Sequence, residues 1–240
     1  PVSEWVGPIS EHFGLWEIFS EADHSVYNDP EGIRDAIAAH GLSCQIHSPI
    51  CDWNIAAMSG RLREASVKET ISTIDAADAM GVRTVTVHPG LTSMAIPGLE
   101  ERAVEHAKAS MKVMDRIALE YGITVAVENM PAFPFFLGRT AEQLNEIVDG
   151  TALSICFDIG HANTTGQIDA MIDTFGDRIA NIHIHDNHGS ADEHLTIGDG
   201  TIDFNHVIGR MNGYRGNWII ESKSLESAVQ SLSRLRRMLS

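Results

Sequence analysis

Short apolar runs, each ending on a side chain that can bind a metal ion, recur along the chain. They are CQI before His47, TVTV before His88, TVAV before Glu128, SICF before Asp158, NIHI before His185 and WII before Glu221. Runs of this length, rich in β-branched residues and bounded by turn residues, predict buried strands. Segments with helical periodicity lie between them, and strands that alternate with helices predict a parallel sheet.

The predicted elements alternate regularly but begin with a helix, Pro1–His12, which precedes a strand at Leu15–Glu21. Further helices are predicted at Pro30–His40, Arg61–Met80, Leu99–Tyr121, Thr140–Val148, Gln167–Phe175 and Phe204–Met211, and from Leu225 onward. About seven strands and eight helices predict an α/β fold, a TIM (β/α)8 barrel whose first strand is missing from this sequence. The alternative is closure of the barrel by the segment Trp5–Pro8. The length suits a single barrel domain covering residues 1–240.

In a closed barrel, the C-terminal ends of the strands meet at one mouth. The six residues that end the apolar runs are therefore expected to face one another there. The sequence DIGH adds His161 three residues after Asp158, a spacing that can bind one ion or bridge two. Two further candidates, Asp192 and His194, follow in the polar loop after the strand that ends at His185.

Two other histidines of this region are expected to have different roles. Because side chains alternate along a strand, His183 points inward one layer below His185. It is interpreted as a hydrogen-bonded core residue or as a partner that supports a ligand. His188 lies in the polar loop and is expected to be exposed to solvent.

Composition narrows the classes of function. The formal charge is −16, from 33 acidic and 17 basic residues. Nucleic-acid binding is therefore disfavoured, although a local basic patch is compatible with a negative total. No long apolar stretch and no leader are visible, so we expect a cytoplasmic protein without a membrane partner. The three cysteines have no CxxC spacing and are expected to be buried, reduced thiols rather than zinc ligands.

The loop Asn129–Arg139 carries Phe133, Phe135 and Phe136 among prolines. A stiff aromatic loop at the mouth can cover an apolar or sugar-ring face, or it can form the contact of a homo-oligomer. Both alternatives stay open. The sequence IGDG, residues 197–200, is either a turn or a place where backbone approaches a ligand.

From Trp16 to Glu221, these residues resemble the xylose isomerase-like TIM-barrel superfamily, which includes sugar isomerases, sugar epimerases and endonuclease IV. For the sugar enzymes, the resemblance implies one divalent ion held by a set of four ligands. These are Glu128, Asp158, His185 and Glu221. It also implies that Glu128 and Glu221 are catalytic and move a proton next to a carbonyl. His161 would contact the substrate, as would His47 and His88 if they are not metal ligands.

For endonuclease IV, the resemblance implies three zinc ions and nine ligands. The matching positions are His47, His88, Glu128, Asp158, His161, His185, Asp192, His194 and Glu221, all with compatible side chains. The aromatic loop after Glu128, the apparent shortage of DNA-gripping loops and the negative charge depart from that pattern. The imidazole-rich set favours zinc, whereas the four-ligand set suits manganese, magnesium or cobalt.

We therefore expect a metal-dependent isomerase or epimerase of a small carbohydrate: a sugar, a sugar phosphate or a related polyol. The alternative is a zinc phosphodiesterase that acts on abasic DNA. A third hypothesis is a barrel that binds a metal or metabolite without catalysis.

Overall fold

Seven parallel strands are hydrogen-bonded side by side in the order of the sequence. They are β1 (Leu15–Phe19), β2 (Ser43–His47), β3 (Thr84–Val87), β4 (Thr124–Glu128), β5 (Ser154–Asp158), β6 (Ile179–Ile184) and β7 (Asn217–Ile220). The helices are α1 (Val2–Ser10), α2 (Pro30–Ala39), α3 (Gly60–Met80), α4 (Leu99–Tyr121), α5 (Ala141–Val148), α6 (Ile159–Thr165), α7 (Ile168–Phe175), α8 (Phe204–Arg210) and α9 (Leu225–Met238). The computed structural model describes residues 1–239.

The helix boundaries follow local sequence signals. The side chain of Ser59 caps the N-terminus of α3 by accepting a hydrogen bond from the backbone N–H of Leu62. At the other end of α3, Gly81 adopts φ +72°, a left-handed conformation that glycine reaches without strain. Gly122 ends α4 in the same way, with φ +63°. These signals place both long helices where the periodicity predicts them.

The architecture is a TIM barrel, as expected, with seven strands in residues 1–239. Within that range β1 and β7 are the two edges of the sheet and do not pair with each other. The segment Trp5–Pro8 lies inside α1 and does not close the barrel as a strand. The side chain of Trp5 instead lines a cavity that runs beside the seam between β1 and β7.

Some local features depart from the expectations. Helix α6 follows β5 directly and was not predicted, because its seven residues are too few for a clear periodic pattern. All three cysteines are free, but Cys51 is exposed and Cys44 half-buried, so the expectation of burial holds for Cys156 alone among them. Within residues 1–239, no helix has the length and the apolar character needed to span a membrane.

Candidate metal centre

Acidic and imidazole side chains converge at the mouth of the barrel in three groups. The first group is His47, His88 and Glu128; the second group is Glu128, Asp158, His183 and Glu221; the third group is His161, His185, Asp192 and His194. Within each group, one candidate ligand atom from every residue lies within 4.8 Å of the others. The nine residues predicted as ligands all belong to these groups, and Glu128 belongs to two of them.

The first group is built around the buried carboxylate of Glu128 at the end of β4. Its Oε2 lies 3.0 Å from Nε2 of His47 and 3.1 Å from Nε2 of His88. On the opposite side of its ring, Nδ1 of His47 lies 2.8 Å from the carbonyl oxygen of Ser48. A ring nitrogen that donates to a carbonyl leaves the other nitrogen available to a metal ion.

The second group contains His183, where the sequence pattern placed His185. The pairing of β5 with β6 has an irregularity at Ile155 and Cys156, and it sets Asp158 opposite His183. Because β6 ends at Ile184, His185 already belongs to the following loop. Nδ1 of His183 lies 2.8 Å from Glu221 and 3.4 Å from Glu128. His183 is therefore the imidazole that faces both glutamates.

The third group depends on the short helix α6. Asp158 caps this helix, since its Oδ1 accepts from the backbone N–H of His161 at 2.6 Å. The ring of His161 is oriented from behind, with Nδ1 at 2.8 Å from the carbonyl oxygen of Asn129. Its Nε2 then faces Asp192 at 3.3 Å. Asn129 also exchanges two hydrogen bonds with the backbone of Asp158, and these bonds tie β4 to β5.

Glycine at position 160 makes room for His185. A Cβ atom at that position would lie 2.0 Å from Cε1 of the His185 ring. This distance is far below van der Waals contact, so the DIGH sequence requires glycine here for packing. The His185 ring also stacks on His194, with the ring centroids 4.0 Å apart.

The loop that carries Asp192 and His194 is held by the buried carboxylate of Asp186. Asp186 accepts hydrogen bonds from the backbone N–H groups of Gly198 at 2.8 Å and Gly200 at 2.9 Å. A Cβ at Gly200 would lie 2.3 Å from Oδ1 of Asp186. Thus the IGDG sequence does bring backbone close to a carboxylate, but the partner is Asp186 of the protein itself.

Unpartnered atoms at the site fit the binding of metal ions. Buried side-chain atoms without a hydrogen-bond partner include Oδ2 of Asp158, Nδ1 of His183, both ring nitrogens of His185 and Oδ1 of Asp192. Each such group carries a desolvation cost of about 1–3 kcal/mol. Carboxylate oxygens and imidazole nitrogens are the ligands of zinc and of the harder divalent ions. The residues present therefore suit divalent metal ions.

Charges in the site shift several pKa values. Burial lowers the pKa of His161, but Asp158, Asp192 and Glu128 outweigh it and raise the value to about 10. Burial raises the pKa of Glu221, but His183 outweighs it and lowers the value to about 2. Without an ion, His161 is thus a protonated imidazole and Glu221 an ionised carboxylate at neutral pH.

The thiol of Cys156 lies beside the second group, where Glu128, Cys156 and His183 form a further three-residue combination. Burial raises the pKa of this thiol well above 9.0. Without an ion, the group is therefore a neutral thiol rather than a thiolate.

A cavity of about 890 Å³ opens beside these groups. Its lining includes Glu128 and Glu221 together with many aromatic and aliphatic side chains from α1, β1, β7 and α9. Among the lining residues, the single lysine or arginine is Arg236. The predicted aromatic loop also contributes, and Phe133 and Phe135 remain 42% and 44% exposed.

His188 has a half-exposed side chain and lies outside the three groups, as expected.

Residues 11–238 match the sequence profile described as "Xylose isomerase-like TIM barrel". The chain belongs to this family. An uncharacterized protein of Methanocaldococcus jannaschii is 35% identical to this xylose isomerase-like chain over 243 residues, which cover 96% of this chain and 82% of the relative.

Solved structures include similar barrels. A protein described as D-tagatose 3-epimerase-like is 33% identical, with a TM-score of 0.90 over 96% of this chain and 90% of that one. Endonuclease IV from Thermus thermophilus is 24% identical, with a TM-score of 0.71 over 99% of this chain and 94% of that one. At this identity, the likeness to endonuclease IV concerns the fold alone.

Proposed function

We propose that this protein is a metal-dependent isomerase or epimerase of a sugar, a sugar phosphate or a related polyol. The observation that carries the proposal is the pairing of Glu128 and Glu221 around one imidazole, at 3.4 and 2.8 Å from Nδ1 of His183. Two carboxylates beside one ion can remove a proton from a carbon next to a carbonyl and return it. The bound ion would polarise the oxygens of the substrate.

The two glutamates have different surroundings and hence different proposed roles. Glu221 has a side chain that is 25% exposed, and it lines the cavity, so it can reach a substrate. Its lowered pKa keeps it ionised at neutral pH, as a base must be. Glu128 is 1% exposed and is held from the other side by His47 and His88. Glu128 would carry out the other of the two proton transfers, from a fixed position.

The cavity favours a small carbohydrate over a duplex. His47, His88 and His161 all line it and would bind substrate hydroxyls or an additional ion. Aromatic side chains such as Phe136 and Trp16 supply faces on which a sugar ring can lie. A site that binds a DNA backbone usually carries several cationic side chains. Arg236 is the single lysine or arginine in the lining of this cavity.

The test is exchange of deuterium from solvent into candidate sugars, followed by NMR in the presence of manganese, cobalt or zinc. We expect exchange into one of them, with a loss of at least about 100-fold in Glu221→Gln, the usual contribution of a general base. Glu193→Gln is the matched control, because Glu193 bonds to His188 in the same region but lies outside the three groups. No exchange into any tested carbohydrate by metal-loaded protein would reject the proposal.

A second candidate function is hydrolysis of a phosphodiester by several zinc ions. The observation that favours it is the presence of the first and third groups, which a single-ion isomerase does not need. Ten ligand-type side chains around one mouth can hold up to three ions, and several ions together would attract an anionic substrate.

Variants of the first group separate the two candidates. His88→Asn removes a nitrogen from the first group but leaves the second group intact. A hydrolase would lose its chelator-sensitive cleavage of abasic duplex or of bis(4-nitrophenyl) phosphate in this variant. An isomerase would keep its deuterium exchange at saturating substrate, because Glu128 and Glu221 remain, and loss of the contact between His88 and the substrate would appear as a higher KM. Wild-type protein that carries three ions and cleaves neither phosphodiester would reject the second candidate.

A further inference from the structure

A buried carboxylate that none of the proposed steps uses lies below the metal-binding groups. Glu17 is in the middle of β1, and its side chain is 5% exposed. Its Oε1 lies 2.9 Å from Nε2 of His183. Four donors surround the carboxylate: the amides of Gln45 and Asn181, the hydroxyl of Thr86 and the ring of His183.

These groups belong to a lower polar layer (Glu17, Gln45, Thr86, Asn181 and Asn217). Glu17 and Gln45 are register partners on β1 and β2, and Asn181 and Asn217 are register partners on β6 and β7. Nδ2 of Asn217 donates to Oε1 of Gln45 at 3.0 Å, which links β7 to β2 across the barrel interior. The position of Glu17 is thus fixed from several strands, and its carboxylate cannot turn freely away from His183.

The contact determines which nitrogen of His183 can hold an ion. The carboxylate of Glu17 accepts hydrogen bonds from Gln45, Thr86 and Asn181. Nε2 of His183, 2.9 Å from this carboxylate and nearer to it than to the amide of Asn181 at 3.4 Å, is therefore placed to donate to Glu17. A neutral His183 that donates from Nε2 presents the lone pair of Nδ1. That same Nδ1 faces Glu221 and Glu128, and it lacks a hydrogen-bond partner.

His183 differs in this respect from two other imidazoles of the site. His47 and His161 have Nδ1 directed at backbone carbonyls, which leaves Nε2 for an ion. His183 has the opposite orientation, with a carboxylate as its partner. A carboxylate behind the ring raises the basicity of the ligand more than a neutral carbonyl does, and it aligns the ring.

From this geometry we infer that Glu17 is a positioning residue, which holds His183 as an Nδ1 ligand of the ion in the second group. The inference rests on the metal centre of the proposed function but not on its reaction. It adds a residue outside the three groups to the determinants of metal affinity. Loss of the carboxylate lowers the metal affinity of the second group and leaves the metal affinity of the third group unchanged.

The first experiment compares metal affinity in three proteins. Apo wild type, Glu17→Gln and Thr86→Val are titrated with zinc against a chromophoric chelator. We expect Glu17→Gln to weaken one class of sites by about 10–100-fold, the usual effect of removing the partner of a ligating histidine. Thr86→Val is the matched control, because it removes another hydrogen bond to Glu17 without altering the carboxylate or His183. Equal affinities in wild type and Glu17→Gln would overturn the inference.

The second experiment needs no variant of Glu17 and so does not depend on that variant folding. Side-chain ¹⁵N NMR of zinc-loaded wild type reports which nitrogen of His183 carries a proton. We expect protonated Nε2 and metal-bound Nδ1. Zinc on Nε2, or a proton on Nδ1, would overturn the role of Glu17. If zinc binding is the same in wild type and His183→Ala, the second group holds no ion, and the metal basis of the proposed function fails with it.

Discussion

Two polar layers lie one above the other inside the barrel. They differ in how many of their buried polar atoms have a hydrogen-bond partner. In the upper layer, at the mouth, Asp158, His183, His185 and Asp192 all carry buried atoms without a partner. In the lower polar layer, the side chains bond to one another, and Oδ1 of Asn181 is the one buried atom without a partner among them. Yet His47, His88 and His183 of the upper layer each follow a residue of the lower layer by two positions.

The difference indicates that the two layers have different functions. Buried polar groups that bond to each other stabilise one arrangement of the strands. Buried groups that lack partners cost free energy, and they persist where a ligand completes them. The lower layer therefore acts as the rigid base, and the upper layer is arranged to receive ions. Three predictions follow the difference between the layers, from the largest expected effect to the smallest.

Removal of metal is expected to have the largest effect, because it affects every unpartnered atom of the upper layer. An ion at 100 times its Kd stabilises the folded state by about 2.7 kcal/mol. For a domain of this size, 1 kcal/mol corresponds to about 2–4 °C in Tm. We therefore expect chelation to lower Tm by about 5–10 °C for each ion lost, measured by calorimetry at defined free zinc.

The control for metal removal is a variant of the lower layer. Thr86→Val alters a buried hydroxyl that bonds to Glu17 and Asn181. It is expected to lower Tm with and without metal by the same amount, since it removes no candidate ligand. A Tm of wild type that does not respond to chelation would contradict the assignment of the upper layer to ions.

The second prediction concerns the space that Gly160 leaves for His185. In Gly160→Ala, the new Cβ would lie 2.0 Å from the ring, so the ring must move out of the third group. We expect overpacking to cost about 1–3 kcal/mol. The affinity of the third group should fall by at least about tenfold, as measured by zinc titration.

A glycine elsewhere provides the control for this substitution. Gly209 lies in α8, and a Cβ there would meet no atom within 4 Å. Gly209→Ala is expected to be neutral or to stabilise the protein by up to about 1 kcal/mol, with unchanged zinc binding. If Gly160→Ala kept full affinity at the third group, His185 would not be among its ligands.

The upper layer could be predicted from sequence much better than the lower one. Each parallel strand brings its last residue to the same mouth, so Glu128 and Asp158 could be placed together without coordinates. The position of His183, rather than His185, beside Glu128 and Glu221 could not be predicted, because it depends on an irregular register between β5 and β6. Register is a tertiary property, and alternation within one strand does not reveal it.

The role of Glu17 went unpredicted for a different reason. Strand β1 ends at Phe19, which is not a candidate ligand, and so this strand did not stand out. A signal was nevertheless present, because a glutamate in the middle of the apolar run LWEIF must find buried partners. The sequence indicates that such partners exist, but their identity requires contacts between β1, β2, β3 and β6.

The third prediction concerns pH, and its effect on Tm is expected to be the smallest of the three. The folded-state pKa of His161 is about 10, above its ordinary value of 6.5. Its contribution to stability is thus complete below pH 6.5 and is lost as pH rises through 10. The pKa of Glu221 is about 2, below 4.5, so its contribution is complete above pH 4.5 and is lost as pH falls through 2.

Both contributions are complete between pH 4.5 and 6.5, where we expect the metal-free protein to have its highest Tm. Bound metal changes this profile, since an ion replaces the proton on His161 and binds more tightly as pH rises. The difference in Tm between zinc-loaded and chelated protein should therefore widen from about pH 5.5 to about pH 8.5. Substitution of the half-exposed His188 by Gln should leave both profiles unchanged. A chelated protein whose Tm rises steadily across this range would show that His161 is neutral without metal and would contradict the prediction.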